Sequence, residues 1–546
     1  AGLCVGNPYH RLFETVAPSE FSAFMLAQII KEKSILYEFN APYNACIYNA
    51  VHNSFEILTD RPGLQHLYFS ENDDAYFFST SAISLACGLK AAFDYEGLLS
   101  FFMAGYVMGQ KTLFDRIKKV SGGTSICISG EGKYVEKKYW IPPDEDKTIT
   151  NISDVARQFS QLHRDAMRGR MAKENHVTVE LTRGYDTRLN LISALKTGEP
   201  FIAWTIGEPH CAEVSMVGKL QSVMPFRHRI ISLSDYKDEF YESFQNDFKL
   251  ITGLTDGESN SLNLIASPIS NRKSREYRNV SVSGLAGEII RAVNYPFFKR
   301  DKSSETGIDV MRYLTFKTIR QNIGDLSVFC DKIADNVNQV MEGYVMKYFQ
   351  ANNNKPYHWR LDNYYFMGPS QRLVGRTVTM NNFYYRQAVP YYDNSIVDLS
   401  FMVPHNMKAY GRLFLQTFYE AGPEFANVRL ANGLPARPLK LKDIICLSMF
   451  LSKTAIKIGN RFIMGKTSKR KKGMDGTGVG QFVENILLGN DYFTNTMKYD
   501  NLASGFLYLP DNYNRFLKEC VENKLKYRTQ IGLMMTIESL CRIINE

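Results

Sequence analysis

The stretch 179–191, VELTRGYDTRLNL, decides the fold. It closes the apolar run 176–181, HVTVEL, and crosses a turn holding Thr182, Arg183, Gly184, Asp186 and Thr187. Apolar periodicity then resumes at once. A buried strand that gives way directly to a helix is the repeating unit of parallel α/β sheets. The alternation continues on both sides. A helix over about 153–173 leads into the stretch, and helix 187–198, strand 200–207 (PFIAWTIG), helix 211–224 and strand 228–234 (HRIISLS) follow it. A further strand-like run, YRNVSVSG at 277–284, precedes LAGEIIRAV. Strands alternating with helices imply a parallel sheet with right-handed crossovers. From about 306 onward the chain reads as mostly helical and rich in aromatics.

Upstream the period changes. Short strands separated by turn residues fill 40–140, among them NACIYNA, SFEILTD, HLYFS, TSICISG and YVEKKYW, as expected of a β-rich domain. The Pro/Asp-rich segment 140–154 ends at Ser153, an adequate helix N-cap. The boundary therefore falls there, giving a β-rich domain over 1–145 and an α/β domain over 150–546. A chain of 546 residues is too long for one core, since cores stop growing at about 250–300 residues.

Composition narrows the class. The net charge of +9 suits a polyanionic small ligand as well as it suits nucleic acid. The nine cysteines are scattered, with no CxxC pair, which argues against a disulfide framework and a structural zinc and for a reducing compartment. No apolar run approaches the roughly 20 residues of a membrane helix, and the N-terminus carries no signal-peptide pattern. A soluble cytoplasmic protein is expected, with no membrane and no nucleic acid as partner. The basic, then glycine-rich stretch 465–480 reads as a solvated loop.

The turn at 182–187 has a physical reading. The start of a helix offers unpaired N–H groups and the positive end of a dipole, which together attract phosphate. Thr182 and Thr187 add hydroxyls, and Gly184 permits close approach or positive φ. Asp186 would repel phosphate unless a divalent cation bridged the two. The run 280–290, VSVSGLAGEII, repeats the device with Ser283, Gly284, Ala286, Gly287 and the carboxylate Glu288. Such junctions also arise as simple capping, but two in one sheet supply two carboxylates for one magnesium.

In this order the two turns resemble the synthetase domain of the asparagine synthetase family. Thr182-Arg183-Gly184-Tyr185-Asp186-Thr187 lies on its Ser-Gly-Gly-x-Asp-Ser pyrophosphate loop, and Gly284 to Glu288 lies on its later acidic turn. The segments TDRPGLQHLYFS, GYVMGQKTLFDRIKKVSGG and AVPYYDNSIVDLSFMVPHNMK resemble other stretches of the family. The resemblance implies a degenerate N-terminal nucleophile-type glutaminase domain, then a parallel-sheet ATP-pyrophosphatase domain with a helical extension. It implies ATP and Mg2+ as cofactors, with Asp186 and Glu288 as metal ligands. Thr182, Arg183, Gly184 and Thr187 would lie at the pyrophosphate, Thr205 near the adenine, and Ser283 and Gly284 near an acyl-adenylate. Lys440 or Lys442 would steady adenylation.

Three departures qualify the resemblance. The family's glutaminases begin with a catalytic cysteine, whereas this chain begins Ala1-Gly2-Leu3-Cys4. Arg183 replaces a loop glycine. Arg386 stands where the family carries a glutamate seven residues before the Asp of its Pro-Phe-Leu-Asp motif. The chain is thus closest in character to glutaminase-deficient members such as β-lactam synthetases and lasso-peptide cyclases. The expected activity is an ATP-dependent amide ligase acting on a small molecule or peptide that carries a carboxylate and an amine, with a pathway partner protein also implied. The alternatives are a glutamine- or ammonia-dependent amidotransferase and a silent nucleotide- or peptide-binding relative.

Overall fold

A computed structural model describes residues 2–10, 31–291, 325–443, 479–522 and 527–546, together with 20, 23, 24, 27, 28, 448 and 452. The first half carries an antiparallel sheet of strands β1 (Gly2–Gly6), β2 (Tyr43–Asn49), β3 (Ser54–Thr59), β7 (Thr124–Ser129) and β8 (Tyr134–Lys138), paired in that order. A smaller sheet joins β5 (Tyr76–Ser79), β4 (Tyr68–Glu71) and β6 (Lys118–Lys119). Strand β1 is an addition to the sequence reading, which began its strands near 44. GLCVG is short and glycine-ended, and it becomes a strand by pairing, with Cys4 opposite Ala45.

The second half is built on the expected parallel sheet. Its strands are β9 (Val177–Glu180), β10 (Ile202–Ile206), β11 (His228–Ile231), β12 (Val280–Val282) and β13 (Arg386–Ala388), in the spatial order β11-β10-β9-β12-β13. Every adjacent pair is parallel. From β9 the chain first builds outward through β10 and β11, then returns to place β12 on the other side. That reversal puts a crevice at the carboxyl ends of β9 and β12, the usual ligand position in such sheets. Val177, Val179, Val280 and Val282 are buried against Met167, Met171 and Ala194, which fixes the register of these two strands.

The helices that matter for the site are α1 (Tyr95–Ala104), α2 (Ile152–Met171), α3 (Tyr185–Thr197), α4 (Ala212–Gln221), α5 (Lys237–Leu254), α6 (Arg412–Ala421) and α7 (Arg528–Asn545). Asn151, rather than Ser153, caps α2: its side chain accepts from the Ser153 N–H at 2.9 Å. The 3-10 turn Gly287–Ile290 stands where a helix opening was expected. Most of the basic stretch 465–480 lies outside the described residues.

The two halves meet in one apolar cluster. Leu98, Phe101, Phe102 and Met103 of α1 pack with Phe240, Phe244 and Phe248 of α5 and with Met534, Met535 and Leu540 of α7. Buried ion pairs within the second half lie at the same junction. Arg376 reaches Asp256 at 2.7 Å and Glu258 at 2.8 Å, and Arg372 reaches Glu258 at 3.2 Å. From the first half Tyr68 donates to Glu258 at 3.1 Å and Ser81 to Asp256 at 2.6 Å. Both arginines lie at the widened π-helical stretch Phe366–Val374 or just beyond it, and Pro369 within that stretch lacks the N–H a regular helix would use. No helix among the described residues is long and apolar enough to cross a membrane.

Candidate functional site

Helix α3 opens at Gly184, an N-cap residue with no side chain to bond the first N–H groups. Gly184 has φ −63° and ψ 166°, so its role is not a left-handed backbone; a Cβ there would stand 3.0 Å from Thr182 Oγ1. The turn before it is largely self-satisfied. Thr182 N–H donates to Thr187 Oγ1 at 3.0 Å, Gly184 N–H donates to Thr182 Oγ1 at 3.0 Å, and the two hydroxyl oxygens are 2.9 Å apart. Arg183 turns to α4, where its backbone N–H donates to the Glu213 carboxylate and its Nε donates to the other oxygen at 3.1 Å. The arginine is thus paired with Glu213 beside the turn.

The second turn comes against the first by close approach. A Cβ on Gly284 would lie 2.8 Å from Thr187 Cγ2, and one on Gly287 would lie 2.1 Å from Asp186 Oδ1. Between them Ala286 holds φ +69°, a left-handed conformation costly for a residue with a Cβ. Ser283 closes its own turn, accepting from Leu285 N–H at 3.2 Å, while its N–H donates to Ala388 O at 3.0 Å. Its hydroxyl also faces the buried Glu180, whose carboxyl burial pushes above the ordinary range.

Asp186 is the focus. Its Oδ2 accepts from Arg291 Nη2 at 2.7 Å, and the same nitrogen lies 3.6 Å from Glu288 Oε1. Its Oδ1 is buried with no hydrogen-bond partner among the described residues. Burial pushes the carboxyl up to about 7; the Glu288 charge adds to this and Arg291 opposes it. Tyr391 donates to the Asp186 carbonyl at 2.9 Å and fixes the backbone from below. Tyr185 accepts from Asn432 Nδ2 at 2.7 Å, which ties the helix start to the 432 turn.

An orphaned buried carboxylate oxygen beside a second carboxylate is a donor set that fits a hard cation, with further oxygens to come from a ligand. Among the described residues no cluster of three or more His, Cys, Asp or Glu side chains converges, so the protein supplies this site with a pair of carboxylates and not a full cage.

Thr205 is buried and donates to Leu181 O at 2.7 Å, which makes it a support of the strand end. Lys440 is exposed, with its backbone N–H on Asp443 at 2.7 Å, and its ammonium meets no partner among the described residues. The Lys442 side chain lies outside the described residues. Arg386 begins β13 level with Val280, at the amino-terminal edge of the sheet, and pairs with Glu174. It is thus at the opposite edge from the two turns. Glu213 and Arg291 were not singled out from sequence. Glu213 reads there as an ordinary acidic helix start, although Arg291 three residues after Glu288 was a visible pairing distance.

In the first half Cys4 packs against Phe39, Tyr43, Ala45 and Leu58, and burial pushes its thiol up to about 12. The Asp-Arg-Pro-Gly motif is structural: the Asp60 carboxylate accepts from the N–H groups of Tyr43 at 3.0 Å, Leu64 at 2.9 Å and Gln65 at 3.0 Å. Arg61 extends the motif across to Asp398 at 2.8 Å. No curated protein matches the chain. Residues 22–140 match a family described as a glutamine amidotransferase domain, which agrees with the asparagine synthetase resemblance at a coarse level.

Proposed function

We propose that the chain is an ATP- and magnesium-dependent ligase that joins a carboxylate to an amine through an acyl-adenylate, releasing pyrophosphate and then AMP. One observation carries the reading. Asp186 Oδ1 lies buried without a hydrogen-bond partner among the described residues, in the first turn of a helix with a glycine N-cap, against the Glu288 turn, where the strand order of a parallel sheet reverses. Asp186 and Glu288 would hold the cation, which when bound neutralises phosphate charge. The N–H groups at the start of α3 would bind phosphate oxygens. Gly284 and Gly287 keep the turns close, and Tyr391 holds the Asp186 backbone. The substrate carboxylate attacks the α-phosphorus as the bond to the β-phosphate breaks. The amine then attacks the acyl carbon, losing a proton as AMP leaves. The reading assigns no step to Lys440.

A second reading, a glutamine-dependent amidotransferase, is favoured by the match at 22–140. The partly buried Cys4 thiol, which its surroundings push above the ordinary range, weighs against it, because the thiolate is the nucleophile in such chemistry. A silent binder is favoured by the Arg183 N–H being engaged by Glu213. ATP–pyrophosphate exchange over a panel of carboxylates, with Asp186→Ala alongside, separates these. Exchange with one carboxylate that vanishes in the variant supports the ligase. Nucleotide binding without exchange favours the silent binder. Glutamate release from glutamine favours the amidotransferase.

A further inference from the structure

Arg291 sets a guanidinium between the two carboxylates. Besides its 2.7 Å bond to Asp186 Oδ2, its Nε donates to Gly287 O at 3.4 Å. Its guanidinium carbon lies 5.3 Å from the Tyr185 ring centre and 5.8 Å from that of Phe414. The side chain is 17% exposed, and its Nη1 has no hydrogen-bond partner among the described residues.

These contacts describe a built-in cation rather than a wandering surface arginine. The carboxylates, a carbonyl and aromatic faces all orient a planar fork that needs little further ordering to donate. Without it, two carboxylates would meet an incoming polyphosphate, and the like charges would repel. With it, one of those charges is already offset. Among the described residues, Nη1 has no competing acceptor, and the N–H groups at the start of α3 lie beside it for phosphate oxygens.

We propose that Arg291 is the resident counter-cation of the Asp186–Glu288 pair and a direct donor to the ligand, so that this site accepts a pyrophosphate group without a divalent cation. The proposal rests on the reading of the two turns as a nucleotide site. Magnesium then adds to affinity that the protein already provides.

The test is titration calorimetry of the full chain with inorganic pyrophosphate, once in EDTA and once in magnesium, with ATP–magnesium as a reference. The wild-type protein binds pyrophosphate in EDTA. Arg291→Gln loses about 10- to 100-fold of that affinity, as expected for removing a charge-assisted donor, and regains most of it in magnesium. Arg291→Lys, which keeps the charge, loses less and carries the test should the glutamine variant not fold. Wild-type binding that requires magnesium overturns the inference and leaves the nucleotide site standing. So does binding in EDTA that is indifferent to Arg291→Gln. Binding of neither pyrophosphate nor ATP under any condition overturns both.

Discussion

A carboxylate in the first turn of a helix is favourable by itself, because it faces the positive end of the dipole. Asp186 departs from that ordinary role in one respect: one oxygen is tied to Arg291 and the other is buried with no hydrogen-bond partner among the described residues. An unsatisfied buried oxygen costs about 1–3 kcal/mol, a cost that a bound ligand or cation removes. Gly287 makes this geometry possible, since any Cβ would strike the Asp186 carboxylate. Gly287→Ala is expected to lower stability by roughly 1–3 kcal/mol in denaturant melts and to abolish nucleotide binding. Ala286→Gly is expected to act in the opposite direction, adding roughly 0.5–1 kcal/mol by relieving a left-handed alanine, with binding retained. An Ala286→Gly protein that melts earlier than wild type would show that the backbone there is not strained.

At the scale of elements, strands β9 to β12 were legible because apolar runs stop at turn chemistry, and helices follow each of β9, β10 and β11. Strand β13 was not, since Arg386-Gln387-Ala388 has no β-forming residue and becomes a strand only by pairing with β12. The two turns were legible as devices, and so was their adjacency. The direction of Arg183 was not, because its partner Glu213 arrives only after another strand and belongs to tertiary packing. Helix α2 adds a titratable brace behind the site. His163 bonds the Ser193 hydroxyl of α3 at 2.8 Å, and its ring lies 4.7 Å from that of Tyr391. Burial holds its imidazole down at about 3. A folded value below the ordinary 6.5 means that its stabilising contribution is full above pH 6.5 and is lost as pH falls towards 3. The loss is on the order of a few kcal/mol. His163→Gln is expected to flatten the acid limb of a stability–pH curve; an unchanged limb would move the origin of acid lability elsewhere.

Over the whole molecule, length alone argued for two cores, yet α1 of the first half lies in the same apolar cluster as α5 and α7. At the junction Arg372 and Arg376 of the second half are set against its own Asp256 and Glu258, and those carboxylates accept from Tyr68 and Ser81 of the first half. Such partners are distant in sequence, so no local pattern discloses them. Removing one member leaves a buried charge unpaired, so Arg376→Met is expected to cost roughly 3–5 kcal/mol. It should also unfold both halves in a single transition, whereas two separated transitions would contradict a shared core. The central claim is that the turns at 182–187 and 283–288 form one nucleotide site at the reversal of the parallel sheet. Amide hydrogen exchange with and without ATP–magnesium tests it most directly. The account expects protection to appear together in both turns and to disappear in Asp186→Ala. Protection confined to one turn, or falling elsewhere in the chain, would contradict it.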